Sequence, residues 1–429
     1  MEHIKVIRNL ILSVALLSTA YIASAQVKIS SPYSSFGIGS IYGVSSQSLR
    51  AMGGATSGFS SPYFINPYNP ASYMAFDTNS FVFDAAFNLR SSTIKTLDES
   101  QKNRFGSLAN LYFGFPITKK WKFSSGIMPY SNVGYEVNGD QVIDKVGRLV
   151  SIYSGSGGLN RAYIGTAISP IRNLSLGVNM SYLFGNIVKE HANTFPDSLY
   201  YYNTMVRSTA RLNKANFDFG LIYRKNLNEG RFFQVGLTYN PSQKIDGKSE
   251  KIAYSYKYNV SQGMEEVKDT ISYETGFKGV VKLPTAVGAG IMVGSTNRWL
   301  AVADVKWQKW SEFTYLGNDP GLKNNIQVSI GGQLRPAIVD MGKYYERINY
   351  RAGFRFEQGY LELQNTRVQD LGISLGVGLP MKKSRSTMNI AVEIGTQGTT
   401  DNGLIKENYI RFTIGAALQE RWFQKRRFN

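Results

Sequence analysis

Histidine and cysteine, on which most nucleophilic and metal chemistry depends, are nearly missing from this 429-residue chain, which has two histidines and no cysteine. His3 falls in an apolar leader, so a serine hydrolase would have to be built on His191 alone. Zinc sites lack ligands, and disulfides are excluded. The glycine clusters Gly53-Gly54 and Gly155–Gly158 lack the Lys-Ser/Thr of a phosphate loop. The reading is a non-enzyme without metal or cofactor. What remains is charge set into otherwise apolar or small-residue patterns: Asp84, Asp218, Arg224, Asp304, Lys306, Arg351, Arg355, Glu357, Glu393 and Arg411. Such residues can form an ion-pair network that holds a plug, or can pair with a carboxylate-bearing ligand.

The segments that carry these charges alternate. In 81–90, Phe81, Phe83, Ala85, Phe87 and Leu89 share one face, and Asp84 and Arg90 lie on the other. In 348–357, Ile348, Tyr350, Ala352, Phe354 and Phe356 alternate with Arg351, Arg355 and Glu357. A period of two turns one set toward lipid and the other toward a lumen. A dry sandwich core could not hold those arginines unpaired. The breaks between segments rotate between short ones, such as 118–120 and 171–173, and long polar ones, such as 136–155, 189–207 and 243–282. Short turns at one end and long loops at the other mark a transmembrane antiparallel β-barrel of the bacterial outer membrane. About fourteen strands are expected: 79–90, 105–117, 121–135, 156–170, 173–189, 207–226, 230–243, 283–295, 298–311, 323–336, 347–357, 369–382, 386–396 and 407–420. The stretch 251–273 reads either as part of a long loop hairpin or as a further membrane strand.

Four domains are expected. Residues 1–25 have Lys5 and Arg8, an apolar run and Ala23-Ser24-Ala25, the form of a cleaved signal peptide. Residues 26–78 are rich in Gly, Ser, Pro, Tyr and Asn without alternation. Their aromatics argue against free solvation, so they are placed inside the lumen as a hatch or plug. The barrel occupies 79–420. A basic, aromatic tail, 421–429, is expected on the periplasmic side with the mature N-terminus. Net charge is +18, which suits outer-membrane lipid and lipopolysaccharide. Nucleic acid is discounted, because export removes the chain from it and no nucleic-acid fold signature appears.

Asn69-Pro70-Ala71-Ser72 just before the first strand, then Leu283-Pro284, Trp299, Asp304 and Trp310-Ser311-Glu312-Phe313, resemble the FadL family of outer-membrane transporters. The resemblance implies a fourteen-stranded barrel with an N-terminal hatch, passive passage of fatty acids or similar hydrophobic molecules, and lateral exit where the third strand kinks. Asn69, Pro70, Ala71 and Ser72 become hatch or ligand candidates, and Gly126 and Pro129 lateral-opening candidates. A fatty-acid carboxylate would then meet one of the lumen arginines. Val142, Val146, Leu149, Val150 and Tyr153 stand at helical spacing, which predicts a helix over 141–153, as a ligand-collecting loop or a cap. That loop is shorter than the family's. Members of the family also serve as non-transporting subunits of type IX secretion or barrel-assembly machines. That is the alternative function, with protein partners in place of a ligand.

Overall fold

The computed structural model describes residues 31–198, 200–259, 264–337, 343–381 and 384–421. The expected signal peptide and the tail beyond Arg421 lie outside them. The wall opens with six long strands: β1 Ser80–Lys95, β2 Ser100–Thr118, β3 Trp121–Ile143, β4 Gly147–Ile168, β5 Leu174–Thr194 and β6 Asn203–Asn226. Next, β7 Arg231–Asn240 runs on as β8 Gln243–Asn259, which turns back into β9 Met264–Leu283 and descends as β10 Ala286–Ser295. Five short strands follow: β11 Trp299–Gln308, β12 Asn325–Leu334, β13 Asn349–Glu357, β14 Asp370–Pro380 and β15 Thr387–Gln397. Finally β16, Lys406–Arg421, pairs with β1 from Lys406↔Lys95 to Arg421↔Ser80 and closes the ring. Since β7 pairs with β10 while β8 pairs with β9, those four strands fill two wall positions. The barrel is therefore closed, antiparallel and 14-stranded. Of the stretch 251–273, residues 251–259 and 264–273 belong to the paired strands β8 and β9 beyond the wall; 260–263 lie outside the described residues.

The alternation read from sequence sets the faces. On β13, Tyr350 and Phe354 are exposed and Arg351 is buried; on β14, Leu371, Ile373 and Leu375 are exposed and Ser374 is buried. A continuous belt of exposed large apolar residues around a closed sheet has to face lipid.

The ring is lopsided. Strands β3 to β6 contain 23, 22, 21 and 24 residues, whereas β10 to β13 contain 10, 10, 10 and 9. About 9–11 tilted residues cross a bilayer. The long strands thus rise beyond it, together with β8 and β9, as one tall sheet. This replaces much of the long-loop expectation. Over 141–153 it also corrects the helix: β3 and β4 pair without interruption from Ser131↔Leu159 to Ile143↔Gly147. The β-branched Val137, Val142, Ile143, Val146, Val150 and Ile152 favour strand. Lys145 and Gly147 take φ of 64° and 97° and close the hairpin. Arg148 then reaches across to Asp140 at 2.6 Å.

Residues 31–79 are largely buried and contact strands of both halves of the ring. They form 3-10 turns at Pro32–Ser35 and Pro70–Ala75, a short helix Gln47–Arg50 and a two-residue strand, Ser40–Ile41. Two apolar clusters join this segment to the wall, one around Leu49, Met52, Phe59 and Met292, the other around Ile65, Tyr73, Tyr112 and Tyr163. A larger one, with Ile38, Leu183, Leu212, Val281, Trp310 and Phe313, joins the segment to the wall toward its tall end.

Candidate functional site

The N-terminal segment is held by two kinds of contact. On the tall side, Asn69 caps the 70–75 turn through Ala71 N–H at 3.1 Å, and its amide donates to Ser57 O at 2.6 Å. Pro70 and Ala71 press against Gly177 of β5, where an added Cβ would lie 2.3 Å from both Pro70 C and Ala71 N. Only glycine admits so close an approach of backbone to wall. Ser72 donates to Asn66 O at 2.9 Å, and Tyr73 donates to Asn179 at 2.8 Å. The four residues Asn69 to Ser72 are therefore brought together at one docking point.

On the short side Gly53 N–H donates to Ser374 at 3.0 Å, and carboxylates make the other main contacts. Asp304 of β11 accepts the backbone N–H groups of Thr56, Ser57 and, at 3.1 Å, Gly58. Glu393 of β15 accepts from Arg50 at 3.0 Å, Arg355 at 2.9 Å and Arg411 at 3.0 Å. Arg355 also reaches Asp370 at 3.0 Å, Glu357 at 3.3 Å and the Tyr409 hydroxyl at 2.8 Å. Glu357 accepts from Asn325 at 2.7 Å. Nearby, Arg90 pairs with Glu407 at 2.7 Å. Around this network lies a cavity of about 150 Å³, lined by Arg50, Lys306, Arg355, Glu357, Asp370 and Glu393 among others. Lys306 has no ion-pair partner among the described residues.

The other charged candidates sit apart. Asp218 pairs with Arg161 and also accepts from Ser181 at 3.2 Å. Asp84 is buried and accepts from Asn110 at 2.7 Å. Arg351 donates to Gln333 and Asn389, each at 2.8 Å. Arg224 stacks 4.1 Å over Phe232 near the short turns. The sequence reading missed Arg50, Arg161, Asp370 and Glu407. Alternation along 159–167 gives an available signal for Arg161; none exists for Arg50, which lies in the segment without a period.

The wall is interrupted between β2 and β3. Their ladder runs from Thr118↔Trp121 only as far as Leu111↔Ile127. Gly126 is its second-last paired residue on β3. Just beyond, the pairing of β3 with β4 shifts register between Pro129 and Ser131. Proline removes a donor and favours such a bulge. Where β2 leaves, the N-terminal segment takes its place on β3: Ser40↔Asn132, Ile41↔Ser131, and Tyr42 N–H to Tyr130 O at 2.9 Å. Tyr42 touches the other bank through Ser107 of β2, 2.6 Å away.

Solved structures with this architecture include toluene transporters and a FadL homologue. The Ralstonia pickettii toluene transporter TbuX aligns over 88% of this chain and 98% of its own, with TM-score 0.58 and 14% identity. A Pseudomonas aeruginosa FadL homologue aligns over 89% and 99%, with TM-score 0.59 and 13% identity. For the Pseudomonas putida toluene transporter TodX the values are 90% and 98%, TM-score 0.54 and 15% identity. No curated protein matches the sequence. The fold is thus that of the FadL-like outer-membrane barrels. Within it, the family described as BamG matches residues 6–429, nearly the whole length, and the chain belongs to the BamG family.

Proposed function

We propose that this barrel is a plugged, non-conducting subunit of a larger outer-membrane assembly. The observation that carries the reading is the cavity beside the N-terminal segment: about 150 Å³, with charged groups on its walls. Sites for small hydrophobic ligands are mostly apolar and roughly 300–1,000 Å³. A hydrocarbon placed here would desolvate Lys306 without offering it a partner. The apolar cluster at the tall end supports the same reading, because it packs Tyr33 and Ile38 of the N-terminal segment against that end of the wall. In this account residues 26–78 are a permanent hatch, the tall end faces outward, and the basic tail lies on the periplasmic side after export and removal of 1–25. Lipid and lipopolysaccharide surround the wall.

One observation favours a second reading, passive passage of hydrophobic small molecules with lateral exit. The break between β2 and β3, where Ser40 to Tyr42 stand in for β2, is where a molecule could leave sideways into the bilayer. Native mass spectrometry of the protein, gently extracted from its own membrane, separates the two. Stoichiometric protein partners and no small ligand are expected. A monomer carrying a hydrophobic molecule of a few hundred daltons would overturn the subunit reading and establish transport.

A further inference from the structure

Charge divides the barrel by end. Every short turn is basic: Lys119 and Lys120 between β2 and β3, Arg172 between β4 and β5, Arg231 after the β6–β7 turn, Arg298 between β10 and β11, Lys343 before β13 and Arg385 before β15. All of these are exposed. The carboxylates at this end are Glu229, Asp340 and Glu346 in the turns, with Asp77 and Glu420 beside the β16–β1 seam. Glu229 is taken by Arg231 at 2.7 Å, and Asp77 by Arg385. Lys119, Lys120, Arg172 and Arg298 have no ion-pair partner among the described residues. The long connections carry the opposite sign. Stretches 96–99, 144–146, 195–202, 309–324, 358–369 and 398–405 together hold more carboxylates than cations, Asp98, Glu99, Asp197 and Asp401 among them. The net charge of +18 is therefore weighted toward the short-turn end, which faces the periplasm in an outer-membrane barrel.

Two features identify what this rim meets. The cations stand at all of the short turns, around the whole circumference. A protein partner touches one sector of a barrel, whereas a lipid annulus touches every sector. The turns also lie beside outward-facing rings: Trp121, Tyr223, Trp299 and Tyr350, at the short-turn ends of β3, β6, β11 and β13, are 39 to 45% exposed. Such rings favour the headgroup level of a bilayer. Lysine and arginine beside them reach phosphate while their stems stay on apolar surface. The centre of this end differs. Residues 51–76 of the N-terminal segment, which meet a short turn where Tyr63 bonds Asn297 at 3.2 Å, contain no charged side chain. A protein capping the barrel would meet that neutral centre, while lipid meets only the charged rim.

We propose that the short-turn rim binds anionic glycerophospholipid headgroups of the periplasmic leaflet, through Lys119, Lys120, Arg172, Arg298, Lys343 and Arg385. The inference holds under either reading of the barrel's function.

The test places the full-length protein in nanodiscs of phosphatidylethanolamine and phosphatidylglycerol in equal parts, and reads the lipids that stay on it by native mass spectrometry. They should be enriched in phosphatidylglycerol over the disc. Changing Lys119, Lys120, Arg172 and Arg298 together to glutamine should lower that enrichment about tenfold or more, from the usual attraction of each cation to an anionic surface. The same change at Lys248, Lys251, Lys257 and Lys278 removes equal charge from the tall sheet and should leave the enrichment intact. Circular dichroism checks that both variants are folded. Added salt should erode the parent's preference, because exposed charges are screened. Retained lipid in the disc's own ratio overturns the proposal. So does an enrichment that survives the rim variant, or one that falls equally in the tall-sheet variant, where net charge alone would be acting. In discs that also hold lipopolysaccharide, a rim variant that loses lipopolysaccharide rather than phosphatidylglycerol overturns the assignment to the periplasmic leaflet. An acidic protein bound in the native membrane and released by the rim variant overturns the choice of lipid.

Discussion

The two halves of the ring hold the N-terminal segment by different chemistry. The short half, β10 to β15, uses carboxylates: Asp304 on the 56–58 backbone and Glu393 on Arg50. The tall half, β3 to β6, relies mainly on neutral partners: Asn179 on Tyr73, the backbone of β3 on Ser40 to Tyr42, and a glycine face under Pro70, with Lys189 of β5 donating to Ser35 O at 2.8 Å as a charged contact. Ion pairs buried together are costly to break singly, while neutral hydrogen bonds contribute about 1 kcal/mol each. The short half therefore anchors the segment, and the tall half shapes it and carries the sheet that rises beyond the membrane.

Removing the anchor should have the largest effect. Glu393→Gln leaves Arg50, Arg355 and Arg411 sharing a neutral amide, and a loss of about 3–5 kcal/mol is expected. Thermal unfolding of the detergent-solubilised barrel, followed by circular dichroism, measures it. The matched change on the tall side, Asn179→Ala, should cost about 1–2 kcal/mol. Equal losses would erase the contrast between the halves.

Asp304→Asn tests the second anchor. An amide oxygen accepts fewer and weaker bonds than a carboxylate, so about 2–3 kcal/mol is expected, concentrated at residues 54–58. Hydrogen exchange should rise at Thr56, Ser57 and Gly58 while the wall strands stay protected. Uniform loss across the wall would mean that the segment and ring unfold as one unit.

Gly177→Ala probes the tall side by crowding. The new methyl group would meet Pro70 and Ala71, and about 1–3 kcal/mol of overpacking is expected. Because the chain lacks cysteine, a single cysteine at Ser72 can report the displacement. Its labelling should quicken in the Gly177→Ala background and stay slow in the parent.

How much of this was legible follows from periodicity. Tyr350, Phe354 and Phe356 alternate so cleanly with Arg351, Arg355 and Glu357 that strand, face and lumen charge could all be read from one decapeptide. The fourteen wall positions follow from repeating that reading. Arg50 was beyond reach, because a residue in a segment without a period has no face until the wall it packs on is known. Asp370 begins its strand, where boundaries are weakest. The tall sheet was hidden differently: its two faces both mix polar and apolar residues once they leave lipid, so the alternation fades although the hydrogen-bonded ladder continues. The same fading lets Val142, Val146 and Leu149 mimic a helix.

The smallest effect concerns the place where the tall edge is tied down. Glu312, in the turn after β11, contacts Lys309 at 2.6 Å and Lys282 of β9 at 3.2 Å. Hydrogen bonds from Lys309 and then Lys282 hold its carboxyl below the ordinary value of 4.5. A carboxylate depressed in the folded state contributes fully above its unfolded pKa, and the contribution fades as pH falls through the folded value. The site is solvated, so salt weakens it as well. Hydrogen exchange at Thr314 and Gly317, which bond the base of β9, should therefore be insensitive to pH from neutrality down to the ordinary carboxylate range after correction for intrinsic rates, then rise below it. Glu312→Gln should show the faster exchange at every pH. If the substitution leaves the pH dependence intact, some other group ties the base of the edge, and the tall sheet is held more firmly than this contact implies.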